Sequence, residues 1–129
     1  MLKQMYERYT TFRVKRQLAS YGDNLLAKNP GEFFLGPGAE VHVGSNVLLE
    51  RGVRFSLGAG AKVYVGDDTY LADFTNVLAV KEISIGKRCA ISWHVLMMDT
   101  SSHPFAVKGE TPVTRIAPIR IEDHVWIGC

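Results

Sequence analysis

The sequence has few of the residues and runs that mark several large classes of protein. Two cysteines, Cys89 and Cys129, occur among 129 residues, so no disulfide framework is expected and the chain fits a reducing compartment. No apolar run approaches the ~18 residues that span a bilayer, and charges recur through the N-terminus where a signal peptide is apolar. These absences predict a cytoplasmic protein.

A large charge of one sign is also missing. The formal net charge is +2, which gives no global footprint for nucleic acid, and we expect no such partner. The charge is unevenly placed, since residues 1–20 hold five cations and the single acid Glu7, leaving ten basic and twelve acidic residues. The five cations are Lys3, Arg8, Arg13, Lys15 and Arg16. The sequence therefore predicts a basic N-terminal segment on a mildly acidic body.

An internal repeat is the most informative feature that is present. Four segments share the order aliphatic, any residue, aliphatic, then glycine or an acid. They are Val41–Gly44, Val63–Gly66, Ile83–Gly86 and Ile119–Glu122. Their third positions are 22, 20 and 36 residues apart. Such self-similarity at a nearly fixed spacing is typical of a solenoid.

Within each repeat, apolar residues return at every sixth position. The rows are Val43, Leu49 and Phe55; Val65, Leu71 and Val77; Ile85, Ile91 and Met97; and Ile121 with Ile127. A period of six matches neither an α-helix, at 3.6, nor an alternating strand, at 2. It fits coils of three short strands whose aliphatic residues fill a shared interior. We therefore predict an all-β parallel solenoid, with a β-sandwich of accidental spacing as the alternative.

The 36-residue spacing indicates an insertion. Subtracting one coil of roughly 18–20 residues leaves a segment at about residues 100–117, "TSSHPFAVKGETPVTRIA". Polar residues, glycine and two prolines predict a protruding loop, and loops on a regular scaffold often carry function. His103 stands where the coil departs into this loop.

Two segments resemble a known family. "ISWHVLMMDTSSHPF" and "APIRIEDHVWIGC" resemble the hexapeptide-repeat acyltransferases, most of all the O-acetyltransferases of bacterial surface-polysaccharide biosynthesis. The resemblance implies a left-handed parallel β-helix, here over residues 23–129, and transfer of an acetyl group from acetyl-CoA to a sugar hydroxyl. It also implies a homotrimer with its sites between subunits.

The resemblance assigns roles to individual residues. His103 takes the part of general base, for which a neutral imidazole near pH 7 is suited. Asp99 either orients that imidazole or turns the chain. His94, which replaces a common asparagine, either contacts the acceptor or is surface filler. Trp126, in "VWIG", lines the site, and Trp93 is expected to pack beneath the loop.

Members of the family continue beyond the "WIG" motif with further coils and a C-terminal cap. The resemblance therefore implies that the chain is truncated at Cys129. It also implies that most of the coenzyme A groove lies beyond that residue. Cofactor-binding residues are left unassigned, and activity of the 129-residue form is open.

Two other functions remain as alternatives. One is a non-catalytic β-helix scaffold or assembly protein. The other is a metal-dependent enzyme like the γ-carbonic anhydrases, in which His94, His103 and His124 would surround zinc. That class carries two histidines five apart, whereas the intervals here are 9 and 21. We therefore expect no metal.

Residues 1–22 lack the six-residue phase and predict a helical segment. Leu2, Met5, Tyr6, Tyr9 and Phe12 fall near one helical face. A helix there would cover the open end of the first coil, which a solenoid needs. The alternative is a basic amphipathic surface that contacts an anionic membrane.

Overall fold

The computed structural model describes all 129 residues and contains one helix and fourteen short strands. The helix α1 spans Leu2–Lys15, and the strands are β1 (Ser20–Tyr21), β2 (Leu26–Ala27), β3 (Phe33–Leu35), β4 (Glu40–Val43), β5 (Leu48–Leu49), β6 (Arg54–Leu57), β7 (Lys62–Val65), β8 (Tyr70–Leu71), β9 (Asn76–Ala79), β10 (Glu82–Ile85), β11 (Ala90–Ile91), β12 (Leu96–Met98), β13 (Ile119–Ile121) and β14 (Trp126–Ile127).

The strands form three parallel sheets, which are the faces of a prism. The first face holds β1, β4, β7, β10 and β13, the second β2, β5, β8, β11 and β14, and the third β3, β6, β9 and β12. Each coil contributes one strand to each face in turn. The fold is therefore a parallel β-helix of four coils followed by β13 and β14, which confirms the predicted fold class.

The register of the first face follows the sequence repeat. Val43 pairs with Val65, Val65 with Ile85, and Ile85 with Ile121. The spacing of 36 residues is thus absorbed without any slip of the strand that follows it. The extra residues leave the solenoid between β12 and β13, as predicted for a protruding loop.

The six-residue rows form the interior of the prism. Leu49, Leu71 and Ile91, one above another on the second face, are each 0% exposed. Burying an aliphatic side chain of this size contributes about 1.5–3 kcal/mol. The stacked rows therefore form one continuous core along the axis, and they supply nine of the 22 residues of the hydrophobic cluster.

The corner between the first and second faces is held by stacked polar side chains. Asn24 Nδ2 donates to Asn46 Oδ1 at 3.0 Å, and Asn46 Nδ2 donates to Asp68 Oδ1 at 3.1 Å. All three residues have a left-handed backbone, with φ of 54°, 56° and 56°. Asn and Asp adopt that conformation more readily than other side chains, so these turns repeat from coil to coil.

Helix α1 covers the edge of the second face, but the side of the helix that packs there is not the one that carries most of its apolar residues. Val14 enters the core at 2% exposure, and Thr10 and Thr11 are buried beside it. Thr10 Oγ1 donates to the Ala27 carbonyl at 2.6 Å, and the Ala27 amide donates to Thr11 Oγ1 at 3.0 Å. Because β2 is an edge strand, it needs such partners. The helix thus covers the first coil through Thr10, Thr11 and Val14, while its larger apolar side chains are exposed. Of these, Tyr6 reaches back to the coil and donates from its hydroxyl to Asn29 Oδ1 at 2.9 Å. It is too short and too polar to cross a bilayer.

Candidate functional site

His103 lies near the base of the loop between β12 and β13. The loop runs out and back as two antiparallel arms, with bridges between Thr100 and Ile116 and between Phe105 and Val113. The Phe105 and Val113 backbones exchange two hydrogen bonds of 3.1 Å. His103 therefore sits on the outgoing arm, between the two bridges.

Hydroxyl groups fix the backbone around this histidine. Ser101 Oγ donates to the His103 carbonyl at 2.8 Å and accepts from the Arg115 amide at 3.0 Å. The Ser101 amide donates to the Arg115 carbonyl at 2.9 Å. The His103 imidazole itself is on an exposed residue and forms no hydrogen bond or ion pair. The backbone is thus anchored while the ring is open to a ligand.

Asp99 holds the loop to the preceding coil. It is 4% exposed, and its carboxylate accepts hydrogen bonds of 2.8 Å from the amides of Val80, Lys81 and Glu82. Both carboxylate oxygens are used in this way, and neither bonds to His103. Of the two roles expected of Asp99, the contacts fit the one that shapes the chain.

A second feature lies at the corner between the second and third faces. It is a groove of about 420 Å³, hereafter the corner groove, lined by Glu50, Arg51, Tyr70, Ala72, Asp73, Phe74, Trp93 and His94. Trp93 is 57% exposed here, so the expectation that it packs beneath the loop is wrong. The physical reason is topological: Trp93 follows β11, whereas the loop leaves after β12, at the next corner of the prism.

Two bulky residues of the corner groove have an unfavourable backbone. Phe74 and His94 have φ of 59° and 57°, and their rings stack with centroids 5.3 Å apart at 17°. A left-handed backbone at such residues costs about 1–3 kcal/mol and occurs often at functional sites. The corresponding turn of an earlier coil uses Gly52, with φ of 71°. At this corner of the prism, the bulky left-handed residues are thus the two that line the groove.

Charged side chains lie along the same groove, which is lined by one cation, Arg51, and two acids, Glu50 and Asp73. An Arg51 nitrogen lies 2.9 Å from Asp73 Oδ2, and its guanidinium carbon lies 5.2 Å from the Phe74 ring centroid. Partial burial raises the pKa of the Tyr70 phenol above 10.0, and the charges of Glu50 and Asp73 raise it further. At neutral pH the phenol is a hydrogen-bond donor. The groove thus offers aromatic surfaces, one phenol O–H and carboxylate acceptors.

Trp126 lies on the second face, beyond the corner groove. It is 74% exposed and pairs with Ala90, which in turn pairs with Tyr70. The three residues form one outward row, with Trp126 two coils from Tyr70. Trp126 therefore extends the exposed aromatic surface that begins in the groove.

The structure separates the predicted histidines. His94 lies at the corner between the second and third faces, and His103 lies on the loop between the third and first. His124 lies between the first and second faces, where its Nε2 accepts from Arg88 Nε at 3.0 Å. No three His, Cys, Asp or Glu side chains come close enough to hold a metal ion. Within one chain, His103 and Asp99 are thus on one corner, His94 is on another, and Trp126 is on the second face.

The sequence analysis missed most of the corner groove. Phe74, Tyr70 and Arg51 were not proposed as site residues, although a signal was available for one of them. Tyr70 precedes the inward Leu71, and strand alternation places it on the outside. The left-handed turns that expose Phe74 and Trp93 leave no comparable mark in the sequence.

No protein-family model, curated protein or solved structure matches the chain. The fold is therefore established by its strand pairing, and the acyltransferase family stays a prediction from the motifs quoted above.

Proposed function

We propose that the protein transfers an acetyl group from acetyl-CoA to a sugar hydroxyl, with His103 as the general base. The observation that carries the proposal is the contrast at His103, whose backbone is anchored while its imidazole is exposed and unbonded. A base must keep a ring nitrogen available to the proton it removes. The resemblance at the loop and at "VWIG" supplies the reaction class and a place in cytoplasmic surface-polysaccharide biosynthesis.

The proposed reaction needs one proton carrier. The sugar oxygen attacks the thioester carbonyl carbon as an imidazole nitrogen of His103 removes the hydroxyl proton. The carbon–sulfur bond then breaks, and the imidazolium returns the proton to the departing thiolate. Holding both substrates side by side supplies the remaining acceleration through orientation.

The corner groove is our proposed acceptor site. Exposed rings of Phe74, Trp93 and Tyr70 give flat apolar surfaces against which a sugar ring can pack. The carboxylates of Asp73 and Glu50 can accept hydrogen bonds from sugar hydroxyls. These side chains share one corner, so a single bound sugar could meet both kinds of surface.

The separation of His103 from the corner groove supports sites shared between subunits. The loop and the groove are on different corners of the same prism, so one chain does not complete the site. In a homotrimer, each subunit would place its loop beside the groove of a neighbour. The proposal therefore includes a trimer in which residues of two subunits form each site.

Release of free thiol from acetyl-CoA, measured with a panel of sugar acceptors, tests the base. We expect His103→Ala to lower turnover by roughly 10²–10⁴-fold and to leave the circular dichroism spectrum unchanged. His42→Ala is the matched control, because His42 lies on the first face and pairs with Glu40. Equal turnover in His103→Ala and the wild type would remove the assignment. Absence of acceptor-dependent release in the wild type would favour the scaffold alternative.

Mixing two inactive variants tests the shared site separately. Co-expressed His103→Ala and Trp93→Ala chains should regain about one quarter of the wild-type sites, since random trimers pair intact elements at that frequency. Mixing either variant with itself gives the baseline. No recovery in purified mixed trimers would contradict a site built from two chains.

A further inference from the structure

The free face of helix α1 is apolar and exposed. The helix buries Thr10, Thr11 and Val14 against the first coil. Its large apolar side chains are left in solvent: Leu2 is 81% exposed, Met5 61%, Tyr6 50%, Tyr9 57% and Phe12 59%. A surface helix usually has the reverse arrangement, with its apolar stripe on the core. This outward placement needs an explanation beyond folding of the chain.

The five exposed side chains form one stripe. At 100° per residue they occupy an arc of about 120°, and the arc lies on the side of the helix opposite Val14. One face of α1 therefore covers the first coil, and the opposite face is exposed. We call the outward one, formed by Leu2, Met5, Tyr6, Tyr9 and Phe12, the apolar stripe.

Cations without ion-pair partners lie beside the apolar stripe, and one of them, Arg13, falls within its arc. They are Lys3, Arg8, Arg13, Lys15 and Arg16, and none of them forms a salt bridge. Two contact aromatic rings instead, with Arg13 5.9 Å from the Tyr9 centroid and Lys15 5.0 Å from that of Tyr21. The segment thus combines an apolar surface with a concentrated positive charge.

We infer that the apolar stripe of α1 docks on the surface of an anionic lipid bilayer. Helices that lie in a bilayer interface combine a polar face rich in Lys and Arg with an apolar face of aromatic and aliphatic residues. Each cation near an anionic surface strengthens binding about fivefold. The inference is independent of acetyl transfer, since it rests on α1 alone.

Charge favours the bilayer over a second copy of the chain. Two copies meeting through α1 would bring their unpaired cations together, which is unfavourable. The acidic body of another copy leaves six of its twelve acids without an ion pair, and one of these, Asp99, is buried. Six of its acids already form ion pairs, namely Glu40, Glu50, Asp67, Asp73, Glu110 and Glu122. An anionic headgroup layer supplies the missing counter-charge over the whole stripe.

Co-sedimentation with vesicles tests this inference on the full chain. One set of vesicles contains phosphatidylcholine alone, and the other contains phosphatidylcholine with phosphatidylglycerol. We expect binding to the anionic set, weakening as salt is raised, and little binding to the neutral set. Equal binding to both sets, or no binding to the anionic set, overturns the inference.

Substitutions separate the apolar and charged contributions. Phe12→Ser should weaken binding roughly tenfold or more because its ring no longer enters the interface. Arg8→Gln with Arg16→Gln should weaken it about 25-fold. The matched controls are Val107→Ser, at a residue 68% exposed on the loop, and Lys108→Gln, also on the loop. Circular dichroism verifies the fold of each variant.

Two results would overturn the assignment of the stripe to lipid. One is vesicle binding by the α1 variants equal to that of the loop controls. The other is self-association without vesicles, measured by sedimentation velocity, that is lost in Phe12→Ser, because this assigns the stripe to a second copy.

Discussion

Asp99 should be among the residues to which stability is most sensitive. Its buried carboxylate accepts three backbone hydrogen bonds of 2.8 Å from the turn between β9 and β10. That turn is two residues shorter than the matching one in the preceding coil, where the Gly58 and Lys62 amides donate to backbone carbonyls of the next coil. Asp99→Asn keeps the shape but removes the charge and turns one acceptor oxygen into an N–H donor. At least one amide then faces another donor.

The expected loss follows from the hydrogen bonds. A bond to a charged group contributes about 1.5–3 kcal/mol, so Asp99→Asn should lower the unfolding free energy by ~3 kcal/mol. For a chain of this size, that lowers Tm by roughly 10–15 °C. Thermal and urea unfolding followed by circular dichroism measure it. Asp123→Asn is the control, because this exposed carboxylate accepts one such bond, from the Lys87 amide at 2.7 Å. A Tm for Asp99→Asn equal to that of the control would refute the reasoning.

Three further predictions concern stability. Asn46→Ala should lose ~2 kcal/mol in urea unfolding, and Asn46→Gly less, because only glycine keeps the left-handed φ of 56° without strain; equal losses would contradict the role of φ. Gly52→Ala should destabilise more than Gly60→Ala, since both have φ of 71° but a Cβ at Gly52 meets an aromatic ring and one at Gly60 meets open space; equal effects would contradict the steric argument. The hydrogen bond from His42 and, after it, the charge of Lys62 lower the pKa of Glu40 below 4.5. The Glu40 carboxylate therefore stabilises the fold above pH 4.5, and this stabilisation is lost as the pH falls through the lowered pKa. Glu40→Gln should therefore reduce the fall in Tm on acidification, and an unchanged fall would contradict this.

Much of the fold could be predicted because the interior of a β-helix repeats in the sequence. Val43, Val65 and Ile85 must stack to share one core, so their spacing sets both the coil length and the register. The longer spacing from Ile85 to Ile121 reveals the loop for the same reason, because an insertion that keeps the register must leave and rejoin the solenoid at the same corner. The motifs, in contrast, located His103 without locating the surface that would face it.

The site was harder to predict because its residues lie at the corners of the prism, whereas the six-residue apolar rows define only the interior. A left-handed backbone at Phe74 and His94 turns their side chains outward, and phenylalanine rarely adopts that conformation. Asp99 lies near His103 in the sequence, yet its partners are amides of the previous coil, about 18 residues earlier. The sequence left open whether Asp99 orients the imidazole or turns the chain, whereas stacking of coils determined the actual contacts.

Helix α1 shows a different limit of sequence reasoning. Its apolar periodicity correctly indicated a helix, but the buried side is chosen by the strand it covers. The edge of β2 requires hydrogen-bond partners, so Thr10 and Thr11 face inward. Periodicity alone shows which residues share a helix face, and it does not show what that face packs against.

The central proposal is most directly tested by the product. The purified protein is mixed with acetyl-CoA and a set of oligosaccharides, and acetylated sugar and free coenzyme A are quantified by mass spectrometry. We predict an O-acetylated sugar formed in equal amount to the coenzyme A released, with both lost in His103→Ala. Acetylated sugar formed equally by His103→Ala, or no acetylated sugar from a folded wild-type trimer with any acceptor, would contradict it.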